Sequence, residues 1–335
     1  MLRTIKLFLA LALSGYLMGC GTDSSSGDRT DGSGDASTQG VKISTSSGSG
    51  SANSNFSLRI TDAPIDGLEN VVLQFIAVEM KLKSGAWTKY TLPAPKPIDL
   101  LALQGLTTAD LLINMPIEAG EYKQVRFIVD DAPMANRVKV KGGAWKELQV
   151  PGGSTTGLKV NQNFTIPDDR KINFTVDFDL RKSVKLQSKS GKYKFKAKMK
   201  LVVDTDVGFI RGSVHPSVLM DKSCSDGDID THNAVYVYSG HNTTPGDIDE
   251  DSPSNNEPIT TSMIQYDYST GLYMFEAAFL AEGDYTIAFT CNANAEVLDD
   301  DDDGDDGDDN DDDALQFFGV QNVSILVTDT TFLKP

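Results

Sequence analysis

Between residues 55 and 209 the chain has neither a histidine nor a cysteine. That absence removes the Ser-His and Cys-His nucleophile pairs of covalent catalysis from this stretch, together with most zinc sites. His215, His232 and His241 are well separated and match no motif such as His-Glu-x-x-His, so they read as surface residues. His232, beside an acidic cluster, is the one closest to a metal context. Positive charge is almost missing from the last third of the chain. From residue 211 onward there are 3 Lys/Arg against 27 Asp/Glu, a net of −24, whereas residues 55–210 hold 23 against 17, a net of +6. The overall charge of −18 therefore hides a basic domain joined to a very acidic one.

The N-terminus carries the clearest address. Arg3 and Lys6 precede an apolar run from Leu7 to Leu17, too short to cross a bilayer as a helix of about 20 residues. The pattern is that of a signal peptide over residues 1–19. Leu17-Met18-Gly19-Cys20 resembles the bacterial lipobox, which implies diacylglycerol on the Cys20 thiol and an acylated amine. Two or three acyl chains hold a protein stably on a membrane. Gly21 stands where, by the same analogy, an Asp signals inner-membrane retention in Gram-negative bacteria, so the expected location is the outer membrane. Residues 20–54 are nearly all Ser, Gly, Thr, Asp and Asn and predict a disordered tether with a reach of roughly 30 Å. The remaining cysteines, Cys224 and Cys291, form a pair in an exported protein, where disulfides persist.

The rest predicts an all-β chain: two β-sandwich-like domains in tandem, residues 55–209 and 210–335. In the first, period-two alternation dominates and no long stretch has a helical period. Phe56 to Ile60, Val71 to Lys83 and Trp87 to Leu92 read as strands, and Lys139 to Lys141 with Trp145 to Val150 flank Gly142-Gly143 as a hairpin. A short helical turn is expected within Leu100 to Leu112. In Asn173 to Leu180, Phe174, Val176, Phe178 and Leu180 are expected inward, and Asn173, Thr175, Asp177 and Asp179 outward on a solvated face.

Lys192 to Leu201 reads as one strand whose outer face is a ladder of Lys192, Lys194, Lys196, Lys198 and Lys200. Two readings stand. The ladder is a solvated edge guarded against further strand pairing, or an anion-binding strip for acidic polysaccharide, lipopolysaccharide phosphate or the acidic second domain. Asp177 and Asp179 are expected to neutralise part of it if the strands are neighbours. Nucleic acid is not expected, because no aromatic residue interleaves the lysines for stacking.

Thr61-Asp62-Ala63-Pro64, Ile98-Asp99-Leu100-Leu101-Ala102-Leu103, Ala119-Gly120-Glu121-Tyr122, Gly157-Leu158-Lys159 and Asp177-Phe178-Asp179-Leu180-Arg181-Lys182-Ser183 follow one another in order. This series resembles domain-of-unknown-function family 4382, found in bacterial lipoproteins, and covers nearly all of the first domain. The resemblance implies a β-rich envelope domain and no assigned activity.

In the second domain, strands are expected at Phe209 to Leu219, Ala234 to Ser239, Ile259 to Tyr268, Leu272 to Leu280, Asp284 to Cys291 and Phe317 to Val327. Leu280-Ala281-Glu282-Gly283-Asp284-Tyr285 is similar to the strand-entry turn of prealbumin-like and carboxypeptidase-regulatory-like sandwiches. Successive loops of an antiparallel sandwich alternate between its ends, which places the loops around 221–233 and 292–315 together and makes a Cys224–Cys291 bridge geometrically sensible. The same juxtaposition brings Asp226, Asp228 and Asp230 towards the Asp-rich run 299–313. Asp299, Asp301 and Asp303 followed by Gly304 copy the start of a calcium loop, but its twelfth position is Asn310 rather than a bidentate Glu. A hydrated acidic loop and a calcium site both remain open readings.

The expected function is a non-catalytic, membrane-anchored envelope lipoprotein that binds or scaffolds. It needs no cofactor, with calcium as a candidate stabiliser and anionic polysaccharide or other envelope proteins as candidate partners. The alternatives are a purely structural spacer or assembly component and a carboxylate-based glycan hydrolase.

Overall fold

A computed structural model describes residues 40–45, 54–65, 67–187, 189–221, 224, 228–229, 232–248, 256–293, 315–326 and 330–333. The all-β expectation holds, and no barrel is formed among the described residues. In the first domain the apolar faces of two sheets close over one core. The larger sheet has ten strands, in the order β1 (Lys42–Thr45), β4 (Trp87–Asp99), β3 (Leu68–Leu82), β7 (Arg137–Val140), β8 (Trp145–Gln149), β13 (Lys192–Phe195) and β12 (Val184–Gln187). Strand β3 also pairs with β6 (Gly120–Val129), which carries β9 (Leu158–Val160) and β10 (Phe164–Ile166). The smaller sheet runs β14 (Met199–Val203), β11 (Lys171–Asp179), β2 (Ser54–Ala63) and β5 (Ala109–Ile117). Between them Phe75, Phe127, Phe178 and Phe195 pack as a chain of aromatic contacts with centroids 6.1 to 6.3 Å apart.

The second sandwich has two four-stranded sheets. One runs β18 (Gln265–Asp267), β19 (Leu272–Ala281), β15 (Val207–Val214) and β22 (Thr330–Leu333). The other runs β17 (Thr260–Met263), β16 (Ala234–Ser239), β20 (Gly283–Thr290) and β21 (Phe318–Ile325). Cys224 and Cys291 are disulfide-bonded, with Cα atoms 5.4 Å apart, and both lie in this core with Ile210, Val235, Phe275 and Phe289. Both sandwiches belong to one compact unit that begins at Ser37.

Several expectations change. The tether expected to run to residue 54 contains β1, which adds to the edge of the larger sheet by pairing with Thr88–Thr91 of β4 and buries Val41. Strand β4 outruns its expected end at Leu92 and reaches Asp99, and Pro93 and Pro95 fall where it swings off β3, between Lys96 and Thr91 in the register. A proline has no N–H to give a ladder, so such a departure suits it. The helical turn is confined to Leu100–Ala102, and the residues from Ala109 onward join the smaller sheet. The strand expected to reach Leu219 stops at Val214, where His215 caps a short helix, α2 (Pro216–Leu219), by accepting from the Ser217 N–H.

The single lysine-bearing strand is also two strands. Strand β13 ends at Phe195 in the larger sheet and β14 begins at Met199 in the smaller one. Between them the Lys196 N–H donates to the Ser183 carbonyl and the Lys198 N–H to the Ser183 hydroxyl, which turns the chain from one sheet to the other. Lys192 and Lys194 therefore share an outward face opposite buried Tyr193 and Phe195, while Lys200 belongs to a different sheet, and the five do not form one row.

Candidate functional site

Strands β2 and β11 run parallel in a regular register, with Phe174 beside Leu58, Val176 beside Ile60 and Phe178 beside Asp62. Parallel strands end at the same end of a sheet. Thr61 to Pro64 and Asp177 to Ser183, more than 100 residues apart in sequence, are thus side by side. The turn after Ile98 to Leu103 meets them: the Asp62 N–H donates to the Leu103 carbonyl at 3.1 Å, and the Thr61 hydroxyl reaches the Leu103 and Thr107 carbonyls at 2.9 and 3.0 Å. Three of the five motifs singled out in the sequence converge here.

Asp62 continues the core-facing row of Phe56, Leu58 and Ile60 and is only 4% exposed. No donor reaches either carboxylate oxygen at full hydrogen-bond geometry among the described residues. Burial pushes its pKa well above the usual carboxylate range; Asp177, Asp179 and Asp99 push the same way, and the nearby Leu180 N–H offsets only part of this. Burial in this position favours the neutral carboxyl, because an ionised one would lose its hydration without replacement.

On the other face of β11 Asn173 is exposed as expected, but the residues that follow it are covered. Thr175 and Asp177 are buried. Asp177 pairs with Lys200, its cross-strand neighbour on β14, at 3.0 Å, and Thr175 donates to Asp204 at 2.7 Å. Asp179 caps α1 (Leu180–Ser183) by accepting from the Lys182 N–H at 3.1 Å. Burial raises its pKa to about 6, against the opposing pull of the Lys182 N–H and of the Lys182 and Arg181 charges.

The one-turn helix α1 then sends two cations into the second sandwich. Arg181 is 3% exposed; its Nη1 donates to the Ala293 carbonyl at 3.0 Å, its Nη2 lies 3.6 Å from Met263 Sδ, and its guanidinium stands 5.6 Å from the Tyr236 ring centroid. Lys182 Nζ donates to Glu257 at 2.7 Å and to the Pro258 carbonyl at 3.0 Å. A second crossing lies at Glu276 of β19, whose Oε1 accepts from the Leu106 N–H of the first domain at 2.7 Å while Oε2 pairs with Arg211. Gly105 is required beside it: its φ is +62°, and a Cβ there would stand 2.5 Å from Glu276 Oε1. Gln265 donates to Gln104 at 3.1 Å in the same region. The arrangement is a joint, in which a buried guanidinium satisfies a carbonyl two residues past the Cys291 disulfide.

The space left at this joint is a cavity of about 140 Å³ lined by Asp177, Asp179, Lys198, Lys200, Ile259 and Thr260. Another, of about 200 Å³, lies by Asp130, Asp131 and Glu147 in the larger sheet. Small-molecule sites usually enclose about 300–1,000 Å³. Asp62 does not line the cavity, so its carboxyl is not presented to anything bound there.

Of the residues expected to carry function, Cys20, Asp226, Asp230, Asp299, Asp301 and Asp303 lie outside the described residues. Asp228 is exposed, and no three acidic, histidine or cysteine side chains among the described residues are grouped to hold a metal ion. Lys200 meets Asp177, as expected of neighbouring strands. Sequence reasoning missed Asp62 as a buried acid and Arg181 and Glu276 as the joint. The available signal for Asp62 and Arg181 was the concentration of charged residues within motifs that otherwise read as strand ends.

No curated protein matches the chain. Among solved structures, the fimbrial anchor protein Mfa2 from Porphyromonas gingivalis aligns at 10% identity over 72% of this chain and 79% of that one, with a TM-score of 0.15. A likeness that slight supports no conclusion about this chain. The family model is informative, and it spans the five motifs and most strands of the first sandwich: residues 53–197 match the model of DUF4382, a domain of unknown function.

Proposed function

We propose that the chain is a non-catalytic envelope lipoprotein, anchored through lipid on Cys20, whose DUF4382 domain and acidic sandwich act as one stiff scaffold at the membrane surface. The observation that carries this reading is Arg181. The charged residues of the strongest motif are used in gripping the next domain: Asp177 pairs, Asp179 caps, and Arg181 and Lys182 cross over. A glycan hydrolase needs two carboxyls facing a substrate across about 5 to 10 Å, whereas Asp62 faces the core and Asp179 is spent on a helix cap. The outer-membrane location rests on Gly19-Cys20-Gly21, and an anionic polymer remains the proposed ligand of the lysine-rich segment.

Two measurements test the reading. Cys20→Ser is expected to move the protein from the membrane fraction to the soluble one and to abolish acyl labelling; unchanged membrane association defeats the anchor. Hydrogen exchange on the soluble form is expected to protect the Leu106 amide, which donates across the joint. Exchange at the rate of an open loop would mean that the two sandwiches move independently.

A further inference from the structure

The outer face of the larger sheet carries cations that the joint does not use. Residues directly opposite one another on antiparallel strands share a face. The register therefore sets Ser44, Lys89, Glu79, Arg126 and Lys159 in one row across β1, β4, β3, β6 and β9. Lys81 faces Trp87 in the next row, and Lys42 lies two residues before Ser44 on the same side of β1. Val78, Tyr90 and Phe127, which alternate with these residues, are in the core. Neighbouring strands stand about 4.8 Å apart, so the row is about 19 Å wide. Glu79 is its one carboxylate and pairs with Lys89 at 3.2 Å. Lys42, Lys81, Arg126 and Lys159 pair with no carboxylate among the described residues. Two of them gather at the Trp87 ring, the Arg126 guanidinium 4.1 Å and Lys81 Nζ 4.9 Å from its centroid. Arg126 Nε also donates to Gln124 Oε1 at 2.9 Å. A ring and an amide thus hold this charge in place without neutralising it.

We propose that this face is a docking surface for acidic lipid headgroups, which lays the first sandwich against the leaflet that receives the Cys20 lipid. Charge selects an anion: Lys42, Lys81, Lys89, Arg126 and Lys159 against Glu79 alone give the patch a net of +4. The path of the chain selects a membrane over a soluble polymer. Strand β1 forms the rim of this face, and the stretch from Cys20 to Gly40 that leads into it has a reach of roughly 25 Å as a Ser/Gly coil. An anchor at Cys20 therefore keeps the face within reach of the bilayer. A tryptophan beside cations also suits the interface, where its ring sits at headgroup level. Each basic residue near an acidic leaflet adds a modest attraction that fades beyond about 10 Å at 0.1 M salt. The local charge of the face governs such a contact, more than the −18 of the whole chain. The inference rests on the anchored reading for its geometry, and its failure leaves the anchor and the joint standing.

The test is co-sedimentation of the Cys20→Ser chain, which has no lipid of its own and so reads the face apart from the anchor. The probes are vesicles of phosphatidylcholine alone, vesicles with about one third phosphatidylglycerol, and soluble alginate as a polyanion without a bilayer, all near 0.1 M salt. Binding to the acidic vesicles alone is expected, and it should fall as salt rises. Lys81→Gln with Arg126→Gln should weaken it about tenfold. Arg170→Gln with Lys171→Gln removes the same two charges at exposed positions of the other sheet and should leave it unchanged. Matching thermal melts of both double variants show that folding is not the variable. The chain has two tryptophans, so Trp145→Phe leaves Trp87 as the sole reporter, and its emission should shift when acidic vesicles are added. No binding to acidic vesicles overturns the proposal. So does equal weakening by the two double variants, or a Trp87 emission that acidic vesicles leave unmoved. Binding to alginate without binding to vesicles would assign the face to a soluble polyanion instead and overturn the membrane contact.

Discussion

A carboxylic acid such as Asp62, pointing into an apolar core, makes folding proton-linked. Its folded-state pKa lies well above the ordinary 3.8, so the stability it contributes as a neutral group is complete below that value. That stability is lost as pH rises towards the folded-state pKa, because only the unfolded chain ionises freely. Asp62→Asn removes this linkage. The stability difference between variant and wild type is expected to grow in the variant's favour above pH 4, by up to about 1.4 kcal/mol per pH unit. Parallel stability curves from pH 4 to 8 would contradict a raised pKa. Asp179 adds a second loss between its ordinary 3.8 and about 6, worth about 3 kcal/mol in total. Asp179→Asn should remove that loss while keeping the cap, since the amide oxygen still accepts from Lys182; Asp179→Ala should instead lose about 1 kcal/mol of capping. The sequence could not show either effect. Alternation correctly put Phe174, Val176 and Phe178 inward, but assigned Asp177 and Asp179 to solvent because it carries no information about what covers a sheet's second face.

Elements were legible where turn residues bound them and illegible where they change sheets. Ala234–Ser239 forms over the expected residues, and the hairpin around Gly142-Gly143 is present. The Lys192–Leu201 run was opaque because an unbroken period of two continues through a corner at which only backbone hydrogen bonds to Ser183 redirect the chain. The disulfide was legible from loop parity, and it closes 67 residues. Reducing it should cost about 4 kcal/mol by loop entropy and, through Ala293, slacken the grip on Arg181. Paired Cys224→Ser and Cys291→Ser substitutions are expected to split an earlier transition of the second sandwich from the single transition of the parent. A single transition at lower temperature would show that the joint holds without the bridge. Gly105→Ala belongs to this scale as well: strained at positive φ and pressed against Glu276, it should expose the Leu106 amide to exchange without disturbing either core.

At the scale of the molecule, the charge division between residues 55–210 and 211–335 was plain in the sequence, but its use was not. Among the described residues the two sandwiches meet through the cations placed by α1 and through Glu276 and Gln265, which a count of charges cannot locate. The Asp-rich run 299–313 keeps its own test: if it binds calcium, the ion should raise the melting temperature of the soluble chain relative to chelator, and no shift would leave only a hydrated loop. The central claim, that the DUF4382 motif serves as a joint making one piece of two sandwiches, is tested most directly by scanning calorimetry of the soluble wild type beside Arg181→Met. Removing the guanidinium keeps apolar volume but leaves the Ala293 carbonyl unanswered, a loss of about 2–3 kcal/mol. The account predicts a single endotherm for the wild type and two separated ones for the variant. Two endotherms in the wild type, or an unchanged single one in Arg181→Met, would contradict it.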